Sequence, residues 1–448
     1  MNIETPRTCF VIKVVETHQH DFVHRRIRQR IVAGMKIIFG PDAEPLSNMN
    51  EFTAEKADRA RRAGKSWLNT QNAYADDLYQ FATFMYVRGL REDEVIVDDL
   101  EEFSFCLNEA ISVKTKKKLK PATVKRRLAT VARYFRFRIA KGLPTQIPLA
   151  QVTALLKDGF RQFRAGSNSN VYELTPGDAP PNEKISPFFE AELSKVLEQL
   201  GPPTNKVINK SCRDRLASEV SYATGMRLDE VCSLTIAQIL ELARHVDKDD
   251  PYKSVGLWLS KTKGLKPGEV FLPSILIEHL LAYIRGERSE VVAEAERLSP
   301  GQNRDRGRLF LNGLGSNHRD IGRPLQPDTL SRRFSAAVYD AGLVMREETF
   351  VLHKDGFPIT QSDGSYAMTV RFVNCHSFHD LRHTFAVENY YAGIAVGEKE
   401  PWKKVQVRLR HASLKTTTDI YLKWVEKREE VISDAHVAAL RSIYGLTK

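Results

Sequence analysis

The stretch His376–Phe385, HSFHDLRHTF, contains three histidines, an aspartate and an arginine. In a helix, His379 and His383 would lie four residues apart on one face, which is the spacing of two metal ligands on a helix. His379 and Arg382 would lie three residues apart and would share a face as well. The stretch therefore raises two possibilities, a metal centre or a site that binds an anion through the arginine.

The metal alternative needs ligands that the sequence does not supply. No glutamate stands beside His379, and Asp380 is adjacent to that histidine rather than helically aligned with it. Arg382 would also place a cation next to the metal. The sequence therefore favours an anion site without metal or cofactor, with His383 as a structural residue of the helix and His376 as a loop residue.

The charge of the chain points to a polyanionic partner. The 448 residues include 67 Lys plus Arg and 56 Asp plus Glu, which gives a net charge of +11. This excess favours nucleic acid first and an anionic membrane second.

No apolar run approaches the ~18 residues that span a bilayer, and the N-terminus lacks a signal-peptide pattern. Five scattered cysteines without a CxxC pair indicate a reducing compartment. We therefore expect a cytoplasmic protein that binds DNA and no membrane.

Hydrophobic periodicity and composition divide the chain into four parts. Residues 1–62 form an N-terminal extension of uncertain role, and residues 63–163 are predicted to form a helical domain. Residues 164–184 are rich in Ser, Asn, Gly and Pro and are typical of a linker. Residues 185–448 are predicted to form a second domain that is mostly helical, has one strand-rich patch and ends in a C-terminal helix.

The first domain combines apolar stripes with basic faces. Helices are expected from Asn69 or Thr70 to Gly89, from near Asp98, and from Pro121. In the last of these an apolar stripe faces the core while arginines lie on the opposite side, where they could meet phosphate or simply water. The residues expected to contact DNA are Lys116, Lys117, Lys118, Lys125, Arg126 and Arg133.

In the second domain, local signals place several charged residues. A helix is expected to start at Pro187 with Ser186 as its cap. Another is expected to end at Gly225 with a left-handed cap, which holds Arg227 at a helix junction with Glu230 beside it. YKSVGLWLS and GEVFLP are predicted strands joined by the lysine-rich turn KTKGLKP. A second hairpin is predicted at residues 351–370 from two Asp-Gly turns.

Four stretches of this domain resemble motifs of the tyrosine recombinase (phage integrase) family. The family has an arginine in T-G-x-R-x-x-E, a lysine on a β-hairpin, H-x-x-R, and a G-H-x-x segment followed by a tyrosine. The matching stretches are TGMRLDE, TKG, HDLR and RHASLKTTTDIY. At position 410 the chain has arginine where the family usually has glycine. The resemblance implies the catalytic residues Arg227, Lys263, His379, Arg382, His411 and Tyr421, with Lys261 or Lys266 as alternatives to Lys263.

The resemblance also implies a fold and a reaction. The fold would be mainly α with a small β-sheet, with a helical, SAM-like core-binding domain and a mixed α/β catalytic domain. The partner would be double-stranded DNA with specific recombination sites, bound by a tetramer of protomers in a synapse and thus associated with the nucleoid. The reaction would pass through a 3′-phosphotyrosine and a free 5′-hydroxyl, without metal or ATP, for integration, excision or transposition of a mobile element.

These residue types suit phosphoryl transfer. Arginine keeps its charge and binds two phosphate oxygens with its planar fork, so Arg227 and Arg382 would clamp the phosphate. His379 and His411 would donate hydrogen bonds to it, and one of them would help to remove the tyrosine proton. Surrounding positive charge would activate Tyr421, and Lys263 would protonate the leaving oxygen. The alternative is a non-catalytic DNA-binding protein built on the same fold.

Overall fold

The computed structural model describes residues 9–13, 34–63, 67–157, 185–203, 210–260, 267–411, 413–415, 417–421 and 424–425. These residues are mainly helical and contain three two-stranded sheets, which confirms the predicted fold class. They divide into two compact units. Unit 1 contains the described residues up to 157 together with Glu348–Thr369, and unit 2 contains the other described residues from 185 onward. Within the described ranges, no helix combines the length and apolar character needed to cross a membrane.

Unit 1 consists of five helices and a two-stranded antiparallel sheet within its described part. Its strands are β1 Phe10–Lys13 and β2 Lys36–Phe39, and its helices are α1 Ser47–Arg62, α2 Trp67–Arg88, α3 Val97–Glu109, α4 Pro121–Ala140 and α5 Leu149–Lys157. Helices α2, α3 and α4 begin within three residues of the expected positions. Of the apolar stripe predicted for α4, Val124, Leu128, Val131 and Phe135 are buried and Ile139 is half-buried. Pro121 at the first position of α4 fits because the first helical N–H needs no partner within the helix.

The N-terminal region, whose role the sequence left open, contributes to this same core. Met49 and Phe52 of α1 are completely buried and pack with the apolar residues of α2 and α4. The Phe52 ring contacts Tyr134 edge-on with a centroid distance of 5.6 Å. The described residues 34–62 are therefore part of unit 1 rather than an appendage to it. The expected linker, residues 164–184, and the expected C-terminal helix beyond residue 425 lie outside the described residues.

Unit 2 carries the candidate site. Its elements are α6 Glu190–Leu200, α7 Arg213–Thr224, α8 Leu228–Ser233, α9 Ile236–Leu242, a 3-10 turn Ala243–His245, β3 Ser254–Leu259, β4 Gly268–Pro273, α10 Ser274–Arg285, α11 Glu287–Leu298, α12 Pro327–Asp340, β5 Val344–Phe350, β6 Met368–Asn374, α13 Phe378–Ala395 and α14 Pro401–Leu409. Strands β5 and β6 continue into the segment Glu348–Thr369 that is grouped with unit 1. One large apolar core contains residues of the helices α6, α7, α8, α9, α10 and α12, of the start of α13 and of the β3–β4 sheet.

The structure contains a pair of strands at each of the two predicted hairpins. Strands β3 and β4 pair antiparallel, with Ser254 opposite Pro273 and Leu259 opposite Gly268. Strands β5 and β6 form a second sheet, and Gly356 and Gly364 adopt left-handed conformations at the two Asp-Gly turns between them. The lysine-rich tip of the first hairpin, residues 261–266, lies outside the described part of the chain.

The expected helix start at Pro187 is wrong. Helix α6 begins at Glu190, and the Glu192 carboxylate accepts a hydrogen bond from the backbone N–H of Phe189 at 2.9 Å. The preceding residues are held by tertiary contacts instead. The N–H of Phe188 donates to the Thr384 hydroxyl of α13 at 2.9 Å, and the Phe188 ring stacks on the His376 ring at 3.9 Å. Docking against α13 therefore overrides the local helix-start signal.

Candidate active site

The junction between α7 and α8 holds Arg227 in place. Helix α7 ends at Gly225, whose φ of 66° is left-handed as the sequence predicts, and a Cβ there would come within 2.5 Å of the Phe385 ring. Arg227 then caps α8, and its backbone N–H donates to Glu230 Oε2 at 2.8 Å. Arg227 Nη1 lies 3.6 Å from Glu230 Oε1, and its side chain remains 23% exposed. The backbone bond to Glu230 fixes the start of the side chain while its guanidinium can still reach a ligand.

Helix α13 presents the histidines and the second arginine. It starts at Phe378 because the Asp380 carboxylate accepts hydrogen bonds from the Ser377 N–H at 2.7 Å and from its hydroxyl at 2.9 Å. Arg382 is 1% exposed. Its guanidinium donates to the backbone carbonyls of Gly225 and Leu409, the latter at 2.6 Å. Arg382 thus ties the end of α7 to the end of α14 across α13.

Burial and nearby cations act together on Arg382. Burial lowers the pKa of its guanidinium to about 9, and Arg227 and Arg410 act in the same direction. The three arginines are therefore close enough to repel one another. At neutral pH Arg382 remains charged, so the site presents concentrated positive charge.

His411 follows α14 directly. Its N–H donates to the Gln406 carbonyl at 3.1 Å, and its Nδ1 lies 3.0 Å from the Thr417 hydroxyl. Burial lowers the pKa of His411 to about 4, and Arg382 and Arg227 act in the same direction. His411 is therefore neutral at physiological pH and carries one ring N–H to donate. His379, by contrast, is exposed at the first turn of α13.

Tyr421 is packed inside unit 2. It is 1% exposed and belongs to an apolar cluster with Phe385, Val405 and Leu409. Its hydroxyl oxygen lies 3.1 Å from His383 Nδ1, and the two rings meet at an angle of 66°. The sequence assigned His383 only a structural role in the helix. The separation of His383 and Tyr421 in the sequence does not predict this contact. The i, i+4 pair of His379 and His383 was the one sequence feature that drew attention to His383.

The pKa of Tyr421 shifts in the direction opposite to the one expected from the sequence. Burial raises it to about 12, and this effect outweighs the lowering by Arg382 and Arg227. Desolvation disfavours the phenolate more strongly here than the two arginines favour it. In this structure Tyr421 is therefore a protonated phenol at neutral pH.

The profile of the phage integrase family matches residues 194–428, more than half of the chain and all of the site described above. The chain belongs to this family. Tyrosine recombinase XerC of Lactobacillus delbrueckii subsp. bulgaricus (strain ATCC BAA-365 / Lb-18) is 24% identical over 265 residues, which cover 55% of this chain and 73% of XerC. Tyrosine recombinase XerC of Roseiflexus sp. (strain RS-1) is 28% identical over 179 residues, 38% of this chain and 44% of that protein.

Solved structures of recombinases give weaker similarity. The XerH site-specific recombinase in a post-cleavage complex with palindromic difH substrate has a TM-score of 0.47 and 22% identity, covering 86% of this chain and 84% of XerH. The Tn1549 transposon integrase in complex with transposon right-end DNA has a TM-score of 0.44 and 14% identity, covering 86% of this chain and 99% of that one.

The structure brings five of the six residues expected to be catalytic in this integrase-family chain into unit 2. They are Arg227, His379, Arg382, His411 and Tyr421. Lys263 and its alternatives Lys261 and Lys266 lie outside the described residues. The two histidines of the metal alternative are close, with ring centroids 4.7 Å apart. Over the described ranges, however, no group of three or more residues of the types His, Cys, Asp and Glu has an arrangement that could hold a metal ion.

The basic residues expected to contact DNA lie on unit 1. Lys116, Lys118, Arg126 and Arg133 are exposed, and Lys117 and Lys125 are half-buried. Arg126 Nη1 also lies 2.5 Å from Oδ2 of the buried Asp77. This ion pair stabilises the folded unit and partly neutralises the charge of Arg126. Lys118 forms an exposed ion pair with Glu109 at 2.8 Å. Arg133 is likewise exposed and lies on α4.

Helix α1 adds cations that the sequence did not connect with α4. Burial and Arg59 lower the pKa of Lys56, and Arg133 and Arg136 contribute in the same direction. The Lys56 ammonium lies 5.1 Å from the centre of the Phe52 ring. We call Lys56, Arg59, Arg133 and Arg136 the α1–α4 basic face. Its parts are about eighty residues apart in sequence, and packing of α1 on α4 brings them together.

Proposed function

We propose that this protein is a site-specific DNA recombinase that cleaves and rejoins DNA strands through a covalent 3′-phosphotyrosine. The observation that carries the proposal is the position of Tyr421, a hydroxyl next to a neutral histidine, inside the electrostatic field of Arg227 and Arg382. Family membership supports the same reaction. The partner would be double-stranded DNA with specific recombination sites.

The proposed reaction conserves the phosphodiester bond energy. The Tyr421 oxygen attacks phosphorus, the phosphorus–O5′ bond breaks, and the products are a phosphotyrosine and a 5′-hydroxyl. The phenolic proton passes to a histidine; His383 is its hydrogen-bond partner in the structure, and its pKa is lowered to about 3 by burial and by His379, so it starts neutral. The proton that the leaving O5′ requires would come from Lys263. Attack by another 5′-hydroxyl reverses these steps and joins new strands.

The arginines supply the charge stabilisation. A phosphodiester repels nucleophiles through its own negative charge, and the transition state gathers more charge on the non-bridging oxygens. The Arg382 guanidinium is held by bonds to backbone carbonyls, and the backbone of Arg227 is anchored to Glu230, so the two cations need little reorganisation during the reaction. The proposed reaction therefore uses neither metal nor ATP. We further propose that a tetramer of protomers assembles on two DNA sites and that the DNA moved is a mobile element.

A nicked DNA substrate tests the proposal. Duplexes made from the DNA that flanks the gene, nicked next to the scissile phosphate, release a short strand on cleavage and so trap the covalent protein–DNA adduct. We expect an adduct with the wild type and none with Tyr421→Phe. DNA binding without any adduct would favour the alternative of a non-catalytic DNA-binding protein, and an adduct in Tyr421→Phe would mean that another residue is the nucleophile. Activity lost with a chelator and restored by zinc would favour the metal alternative.

A further inference from the structure

Arg410 occupies a backbone position that favours glycine. It ends α14 in a left-handed conformation, with φ 57° and ψ 34°. This conformation is unfavourable for a non-glycine residue, whereas glycine would adopt it freely. An unfavourable backbone conformation that persists at a functional site suggests that the side chain has a use there.

The side chain of Arg410 is directed into the candidate active site. It is 4% exposed, and its Nη2 donates to Glu230 Oε2 at 2.5 Å. It passes over strand β4 at Gly268, where a Cβ would come within 2.5 Å of Arg410 Cδ. The absence of a side chain at residue 268 therefore leaves the space that Arg410 occupies.

Two nitrogens of this guanidinium lack a hydrogen-bond acceptor among the described residues. Arg410 Nε and Nη1 are both buried, and neither has a hydrogen-bond partner among the described residues. A buried donor without an acceptor is destabilising, so a ligand that accepts hydrogen bonds from these nitrogens would gain affinity. Glu230 Oε2 accepts hydrogen bonds from Arg410 Nη2 and from the backbone N–H of Arg227, so Arg410 lies beside the catalytic candidates. In agreement with this, Arg410 lowers the pKa of both Arg382 and His411.

Positive charge exceeds negative charge around the candidate active site. Arg227, Arg382 and Arg410 are cationic, Glu230 acts on both Arg382 and Arg410, and the buried carboxyl of Asp380 acts on Tyr421. Three guanidinium groups therefore lie near two carboxyl groups. Buried charge without a counter-charge is costly. A phosphodiester carries one negative charge, and a second develops as a tyrosyl oxygen adds to the phosphorus, so the three arginines would stabilise the transition state.

We propose that Arg410 is a third phosphate-binding arginine, which donates from Nε and Nη1 to a non-bridging oxygen of the scissile phosphodiester while Glu230 holds Nη2. This inference rests on the proposed function for the identity of the ligand. Glu230 also binds the backbone N–H of Arg227, so one carboxylate orients both arginines. Arg410 is thereby a catalytic residue in addition to the six that the motifs indicate.

The first test compares two substrates and three variants. Arg410→Gly removes the guanidinium and suits the left-handed backbone, Arg410→Lys keeps the charge without the fork, and Arg408→Ala is the control because Arg408 lies on the same helix and bonds Asn389 instead. On a nicked duplex with a normal phosphodiester, we expect adduct formation to fall about 100-fold in Arg410→Gly and about 10-fold in Arg410→Lys. Arg408→Ala should react like the wild type.

The second substrate carries an uncharged methylphosphonate at the scissile position. The non-bridging charge that Arg410 would neutralise is then absent, so the wild type and Arg410→Gly should differ by less than about 3-fold. An equal loss on both substrates would mean that Arg410 only positions Glu230, and unchanged reaction of Arg410→Gly with the phosphodiester would mean that it has no role. Either result overturns the inference and leaves the proposed function intact.

Binding of inorganic phosphate gives a test that needs no DNA site. Isothermal titration calorimetry measures phosphate binding. The part of the signal that is absent in Arg227→Gln is assigned to phosphate bound at the candidate active site. We expect its Kd to rise about 10-fold in Arg410→Gly, since one charge-assisted donor pair is removed, and to stay constant in Arg408→Ala. An unchanged Kd in Arg410→Gly overturns the inference. A wild type that binds phosphate in this way but forms no Tyr421 adduct would instead overturn the proposed function.

Discussion

His383 Nδ1 lies 3.1 Å from the hydroxyl oxygen of Tyr421, although the two residues are 38 positions apart in the chain. Both groups are uncharged at neutral pH, because burial raises the pKa of Tyr421 to about 12 and lowers that of His383 to about 3. Attack by Tyr421 on a phosphate requires loss of the phenolic proton. The neutral imidazole is placed to accept it, and the negative charge of a bound phosphate would favour the imidazolium that forms.

Replacing His383 by asparagine should separate proton acceptance from hydrogen bonding. Asparagine can bond the Tyr421 hydroxyl from the position of Nδ1 but cannot accept its proton. We expect adduct formation on the nicked DNA to fall about 100-fold, in the range of general-base contributions, with DNA affinity unchanged. His245→Asn is the matched control because His245 is 65% exposed at the protein surface. A His383→Asn rate within about 3-fold of the wild type would exclude His383 as the base.

Stability should decrease as the pH falls below 6.5. The folded-state pKa values of His383 and His411, about 3 and about 4, lie below the unfolded value, so the unfolded chain binds more protons in this window. The stabilisation is complete above pH 6.5 and is lost as the pH falls towards those folded-state values. Each histidine contributes at most about 1.4 kcal/mol per pH unit.

Urea unfolding at pH 7.5 and pH 5.0 measures this effect. The double variant with His383→Asn and His411→Asn should lose less free energy of unfolding between the two pH values than the wild type, since asparagine does not titrate. His245→Asn should follow the wild type because His245 lies exposed at the protein surface. Equal pH dependence of the wild type and the double variant would contradict the prediction.

Removing the charge of Glu230 should destabilise unit 2 unless an anion is present. Glu230 is 5% exposed and pairs with Arg410 at 2.5 Å, so Glu230→Gln removes the carboxylate that pairs with Arg410 and Arg227. We expect the free energy of unfolding to fall by about 3–5 kcal/mol. Inorganic phosphate should restore a larger part of it in this variant than it adds to the wild type, through binding to the folded state.

The control for Glu230 is Glu241→Gln. Glu241 is 61% exposed and pairs with Arg244 on the surface, so its replacement should change stability by less than about 0.5 kcal/mol. If phosphate stabilises Glu230→Gln and the wild type equally, the three arginines do not form one anion site.

The α1–α4 basic face should contribute to DNA affinity without sequence preference. Arg133 and Arg136 are exposed on α4 beside Lys56 and Arg59. Removal of one cation that neutralises a DNA phosphate reduces the slope of log affinity against log salt by about 0.9. The double variant with Arg133→Gln and Arg136→Gln should therefore show a slope smaller by roughly 1 to 2 in fluorescence anisotropy with random-sequence DNA.

A matched double variant checks that this effect is local. Arg88 and Arg91 are exposed arginines of the same unit that pair with Glu102 and Asp93 and lie outside the α1–α4 basic face. Replacing both by glutamine removes the same charge, so a purely global charge effect would reduce the slope equally. We expect a reduction that is clearly smaller than in the α4 variant.

Features that depend only on neighbouring residues can be predicted from the sequence. The apolar period of α4, the left-handed end of α7 at Gly225 and the two Asp-Gly turns follow from local backbone and side-chain preferences. The motifs around Arg227, Arg382 and Tyr421 are equally local, so the amino-acid sequence alone indicates the family and its candidate residues. Local preference failed at Pro187, where contacts to α13 displaced the start of α6.

The contacts between these residues depend on the tertiary structure. The ion pair between Arg410 and Glu230 spans 180 positions, and the contact between His383 and Tyr421 joins α13 to a later helical segment. Such contacts depend on how helices pack, and no spacing in the sequence encodes them. Burial has the same origin, because the pKa of Tyr421 rises through desolvation that a count of nearby arginines does not reveal. The charged groups of the site can therefore be identified from the sequence, whereas packing determines which of them are paired, which are buried and which could bind an anion.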